Sequence, residues 1–184
     1  HSFPTRRSSD LIGFANTASG YLSEAMGGLN MASGNSSSAL GISNTASGMF
    51  SSAVGSTNIA AGYKSQALGN RNHAYGRYDS AIGYRNTAYA NAEKGNAIGD
   101  HNHIGVDGSA GTYHRANAVG SYNVATQFGA SAFGSSNIAN GTISNAIGYQ
   151  NTASGDESSA FGFANAASGY QSEAIGGLNL ASGA

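Results

Sequence analysis

The chain has 184 residues, and Leu, Ile, Val and Phe supply 28 of them, or 15 %, below the roughly 20 % at which an ordinary packed core becomes doubtful. Charged residues make up 9 % and net charge is −1, which excludes the highly charged class of disordered chains and argues against nucleic acid as a partner. Gly contributes 28 residues beside one Pro and no Cys. Collagen, disulfide scaffolds and thiolate metal sites are thereby excluded, and no apolar run approaches the ~18 residues that span a bilayer, so no membrane contact by these residues is expected.

His1 to Leu11 share nothing with the rest of the chain. They read as the in-frame translation of a widely used short-read sequencing adapter, whose last codon gives Leu whatever base comes next. Residues 1–11 are therefore set aside as non-native. Without Arg6, Arg7 and Asp10, the remaining chain carries six basic and eight acidic residues, a net −2. The reading frame is expected to be a piece of a longer protein.

From residue 12 onward the sequence repeats. Gly recurs every seventh residue from Gly13 to Gly83 and again from Gly134 to Gly183. Two heptads alternate, so the period is 14: Ser23-Glu24-Ala25-Met26-Gly27 is of one kind and Asn44-Thr45-Ala46-Ser47-Gly48 of the other. A coiled coil with a Gly in every heptad would lose about 1 kcal/mol at each. Small residues alternating with variable ones fit short strands instead, with Gly closing turns that need positive φ. Stacking one coil on the next places Ala on Ala and Asn on Asn, an inner seam of methyl groups and amide ladders. About twelve such coils at ~4.8 Å each make a rod near 58 Å long.

The apolar residue before the first kind of Gly is Ile12, Met26, Leu40, Val54, Leu68, Ile82, Ile98, Val119, Phe133, Ile147, Phe161 and Ile175. Period-2 alternation points these away from the Ala seam. A greasy stripe along a whole rod is a partner surface, and its self-similarity favours further copies of the same chain in closed cyclic symmetry.

Residues 12–184, with Ser-x-Ala-apolar-Gly alternating with Asn-x-Ala-Ser-Gly, resemble the YadA-like head repeats of trimeric autotransporter adhesins. The resemblance implies an all-β, left-handed parallel β-roll, assembled as a homotrimer with the stripe about its axis. It also implies display at the surface of a Gram-negative bacterium, anchored in the outer membrane through a neck, stalk and barrel outside this sequence. The implied partners are an extracellular matrix protein, a cell-surface receptor or a glycan receptor. Similar repeats occur in bacteriophage tail fibres, so a virion is the alternative setting, and a solenoid enzyme acting on glycans is a third reading.

The rhythm breaks at about 90–120. Ala90 takes a Gly place, two residues are added before Gly99, and Ile98-Gly99 and Val119-Gly120 stand 21 residues apart rather than 14. A one-heptad insertion pushed out of the roll would do this. Every basic residue after the first eleven lies in or beside this zone, with seven of the ten Tyr. Arg and Tyr dominate binding hot spots, so Arg71, Arg77, Tyr78, Arg85, Tyr89 and Arg115 are the candidate receptor contacts. His101, His103 and His114 with Asp100 and Asp107 are weak metal candidates, since their parity sets them on the polar outer face. No nucleophile motif, phosphate loop or regular carboxylate pair points to catalysis, and no cofactor is expected. The column containing Thr17, Met31, Thr45 and Ile59 is no Thr ladder of the ice-binding kind.

Overall fold

In the computed structural model, which describes residues 10–106 and 115–183, the chain winds into a β-solenoid. Five-residue strands alternate with two-residue strands, and among the described residues they build two parallel sheets of twelve strands each. A regular coil passes from Ser38–Ile42 through Thr45–Ala46 to the next long strand, Ser52–Ser56. Its register carries Ala39 onto Ala53, Leu40 onto Val54 and Gly41 onto Gly55. The expected all-β parallel solenoid with 14-residue coils is borne out.

The core is as thin as the composition demands. Ala39, Ala46, Ala53 and Ala60, one from each sheet in turn, are fully buried, and so are their equivalents along the rod. Each coil buries methyl groups rather than large side chains. The missing apolar area is offset by hydrogen bonds that run from coil to coil. Asn44 receives a bond on Oδ1 from the backbone N–H of Asn58 at 3.0 Å. Its own Nδ2 lies 3.1 Å from Asn30 Oδ1, 2.9 Å from the Leu40 carbonyl and 2.8 Å from that of Gly55. The ladder extends through Asn102, which bonds Asn86 below and Asn123 above. Asn102 belongs to the ladder although the two added residues put it off the simple 14-residue count.

The role expected of Gly needs correction. The tight turns are held by other residues in the left-handed region, one per heptad over most of the described chain, including Leu29, Ser36, Tyr78, Arg85 and Ile143 at φ 58, 52, 61, 54 and 57°. Gly41 sits instead inside a strand with φ 116°, where an added Cβ would collide with the Gly55 carbonyl oxygen. Gly48 has no positive φ, yet a Cβ there would run into the Gly62 carbonyl in the same way. Gly recurs because successive backbones approach too closely for any side chain.

The irregular zone is absorbed in two steps. Residues 89–95 join Ala88 to the strand Asn96–Asp100, where a regular coil uses residues 47–51. Ile104, fully buried, replaces Ala in the seam; its Cδ1 occupies the space that a side chain at Gly95 would need. Residues 105–116 then link His103–Ile104 to Asn117–Ser121, which pairs with Asn96–Asp100 across the 21-residue step. The loop expected from the sequence falls largely on residues 107–114, which lie outside the described residues. At the other end the first strand among the described residues is Asp10–Phe14, so Asp10 and Leu11 lie in the ladder opposite Glu24 and Ala25. Backbone pairing accepts any residue there. Residues 1–9 are outside the described set.

Candidate functional site

Three surfaces carry the chemistry. The first is the outer face of the long-strand sheet. Met26, Leu40, Val54, Leu68, Ile82, Ile98, Val119, Ile147 and Phe161 are half-buried there, each stacked on its register neighbours, while Ile12, Phe133 and Ile175 are exposed. None lies in the Ala seam, so the stripe faces outward along the rod.

The second surface is the turn edge that leads into the long strands. Lys64, Tyr78, Lys94 and Arg115 each stand two residues before the paired positions Gln66, Ser80, Asn96 and Asn117. Phe50, Tyr63 and Tyr78 meet edge to face, with centroids 5.9 and 5.5 Å apart. Lys64 Nζ lies 5.4 Å from the Tyr63 ring and 5.7 Å from that of Tyr78. The Arg77 guanidinium is 5.5 Å from Tyr63 and its Nη1 is 3.7 Å from Glu93 Oε1. Lys94 reaches Tyr78 at 5.9 Å.

The third surface is the opposite turn edge. Arg85 Nη1 approaches His101 Nε2 at 3.4 Å. Arginine can only donate, so Nε2 accepts and the His101 Nδ1–H donates to Asp100 Oδ1 at 2.8 Å. His101 stacks on Tyr122 at 4.7 Å and 4°, and meets Tyr84 edge-on. Arg71 occupies the same left-handed turn column as Arg85.

The zone read as one candidate cluster is thus divided. Arg77, Tyr78 and Arg115 share one edge, and Arg71 and Arg85 the other. Tyr89 belongs to neither; it lies beside His103 on the short-strand face, with ring centroids 6.4 Å apart. A 14-residue coil sends residues seven apart to opposite sides, so nearness in sequence does not bring side chains together. His101 and His103 also diverge, one to an edge and the other to that face, with buried Asn102 between them. Burial, and then His101, lower the pKa of His103, and burial lowers that of His73. Among the described residues no group of three His, Asp or Glu is placed to hold a metal. His114 and Asp107 lie outside them.

Asp79 escaped the sequence reading. It is fully buried and stands in the column that Ser23, Ser37, Ser51 and Ser65 occupy in earlier coils. Ser65 Oγ donates to the Gly62 carbonyl at 2.8 Å. Asp79 Oδ1 accepts from the Gly95 N–H at 3.0 Å, while Oδ2 has no partner. Burial pushes its carboxyl up to about 7. The signal available was a charged residue in a column of small ones.

These features define a parallel β-solenoid with an apolar outer stripe and two turn edges rich in cations and rings. The chain carries YadA head domain repeats, matched at residues 32–58 and 144–165. No match to the chain was found among the curated proteins.

Proposed function

We propose that this rod is the head segment of a bacterial surface adhesin, in which three copies pack their long-strand faces about a common axis and hold a receptor-contacting surface away from the cell. The outward column from Ile12 to Ile175 carries the reading. The Ala seam alone buries little apolar area per coil, while a second layer of large side chains stands half-exposed in a single copy. Threefold packing would bury that layer against its own copies. The mid-rod residues Arg71, Arg77, Tyr78, Arg85, Tyr89 and Arg115 are the proposed contacts to host matrix, cells or glycans, and catalysis plays no part.

Replacing Leu68 and Ile82 by Asp tests the assembly. Each carboxylate would lose its hydration and face two like charges, a cost of several kcal/mol per site. Assembly and folding should fail together. Ser47→Asp and Ser154→Asp, at exposed positions, should cost under about 0.5 kcal/mol. Light-scattering mass with circular dichroism reads both. A wild-type monomer that stays folded at micromolar concentration would sink the trimer.

A further inference from the structure

We propose that the turn edge carrying Lys64, Arg77, Lys94 and Arg115 binds an anionic polysaccharide, with its cations on ring carboxylates or sulfates and Tyr63 and Tyr78 against the sugar faces. The inference rests on the adhesin reading only in taking the ligand from a host surface.

The placement is what the solenoid adds to the sequence. Two added residues separate Lys94 from the simple count, and a longer insertion separates Arg115. The strand register nevertheless sets Lys64, Tyr78 and Lys94 in one column on consecutive coils about 4.8 Å apart, with Arg77 beside Tyr78 and Arg115 two residues before the next paired strand. That step is close to the advance of one pyranose ring along an extended polysaccharide, so each coil can meet one sugar. Lys64, Arg77, Lys94 and Arg115 are all exposed, and the left-handed turns at Lys64 and Lys94 lie on the outer edge of the coil. Residues 12–184 as a whole carry a net −2. A polyanion is therefore repelled by most of the rod and attracted here, where among the described residues Glu93 is the one acid in contact, on Arg77. Aromatic faces supply apolar area for the C–H side of a pyranose, and the neighbouring cations hold them in place through their own ring contacts. The rings meet edge to face at 87 and 83°, which breaks up the parallel platforms on which successive nucleic acid bases stack. A saccharide is favoured over a nucleic acid on that ground.

The test measures binding of the whole chain to heparin, polygalacturonate, dextran and single-stranded DNA across a salt series, with circular dichroism on every variant. The expected result is salt-sensitive binding to heparin, polygalacturonate or both, and none to dextran. Heparin alone would identify sulfate as the recognised group, and both would identify the carboxylate. Lys64→Gln with Arg77→Gln and Lys94→Gln should weaken binding at least tenfold and flatten its salt dependence. Lys64→Arg with Lys94→Arg should retain it. Equal binding by the folded triple Gln variant, or tighter binding to DNA than to either polysaccharide, would overturn the proposal. Cell attachment that persists with no polysaccharide binding would overturn this site and leave the adhesin reading standing. A chain that binds polysaccharide but neither trimerises nor attaches to cells would do the reverse.

Discussion

At Asn72 one carboxamide ties three coils together. Its Nδ2 lies 3.1 Å from Asn58 Oδ1, 2.9 Å from the Leu68 carbonyl and 2.7 Å from that of Gly83. Its Oδ1 accepts from the backbone and side-chain nitrogens of Asn86, both at 3.0 Å. Removing it strands buried donors and acceptors, each at a cost of about 1–3 kcal/mol. Asn72→Ala should therefore destabilise the rod by upwards of about 3 kcal/mol. Asn16→Ala, at the part-exposed start of the described ladder, removes bonds to one neighbouring coil where Asn72→Ala removes bonds to two, and should cost less. Denaturant melts of the two variants give the comparison, and equal costs would mean the ladder is not the main cohesive element. A second residue-scale effect has the opposite sign. Ile143 is β-branched and holds φ 57°, a conformation that costs an L-residue about 1–2 kcal/mol and that Asn tolerates. Ile143→Asn should raise stability by roughly 1 kcal/mol, readable in the same melts.

The irregular coil is where local sequence and winding conflict, and its residues compensate one another. Ile104 fills a space that Gly95 leaves open. Ile104→Ala should cost about 2–5 kcal/mol through the cavity left behind. Gly95→Ala should also destabilise, because its Cβ would meet Ile104 and come within 2.9 Å of the Ala116 carbonyl oxygen. Their combined cost should fall short of the sum by more than about 0.5 kcal/mol, since the first change removes one obstacle to the second. Additive costs in that cycle would separate the two residues. Asp79, one coil earlier and bonded to Gly95, makes this junction sensitive to pH. Burial, reinforced by Glu93 and opposed by the Gly95 N–H, pushes its carboxyl up to about 7, from an ordinary value near 3.9. The fold therefore prefers the neutral acid. The stability this gives is complete below about pH 4 and is lost as pH rises to about 7, because the unfolded chain releases its proton first. Asp79→Asn should match the wild type at pH 4 and exceed it increasingly up to pH 7, with no further gain above. A gap that narrows with rising pH would mean that the carboxylate is stabilised in the fold.

For the whole molecule, the sequence showed what repeats strictly and hid what varies. Ala, Asn and Gly sit where stacking permits one side chain each, so the coil length, the inner seam and the outward stripe were legible. The turn residues were not. Leu29, Lys64, Tyr78 and Ile143 share one backbone conformation and nothing else, because their side chains stand at the edge and the stack places no demand on them. The regular Gly therefore points to the wrong residue for the turn. The grouping of candidate contacts was hidden for the same reason: which edge a residue joins depends on register counted through the two insertions, and Arg77 and Arg85 part company within one coil. Asn102 shows the limit in the other direction, an invariant role reached by an irregular count.

Each coil bonds only to the coils above and below it, and this governs how a single rod would yield to tension. Pulled by its ends, the chain can come away only from the outermost turn, and detaching that turn leaves the next equally secured. Resistance is then a series of similar small barriers. Each turn releases 14 residues, or about 48 Å of extended chain, before its neighbour is loaded. The rod would lengthen in steps under drag and rewind from the intact stump when the load falls. The two turns that begin at Ser80 and Asn96 would release 16 and 21 residues, and there the step size changes.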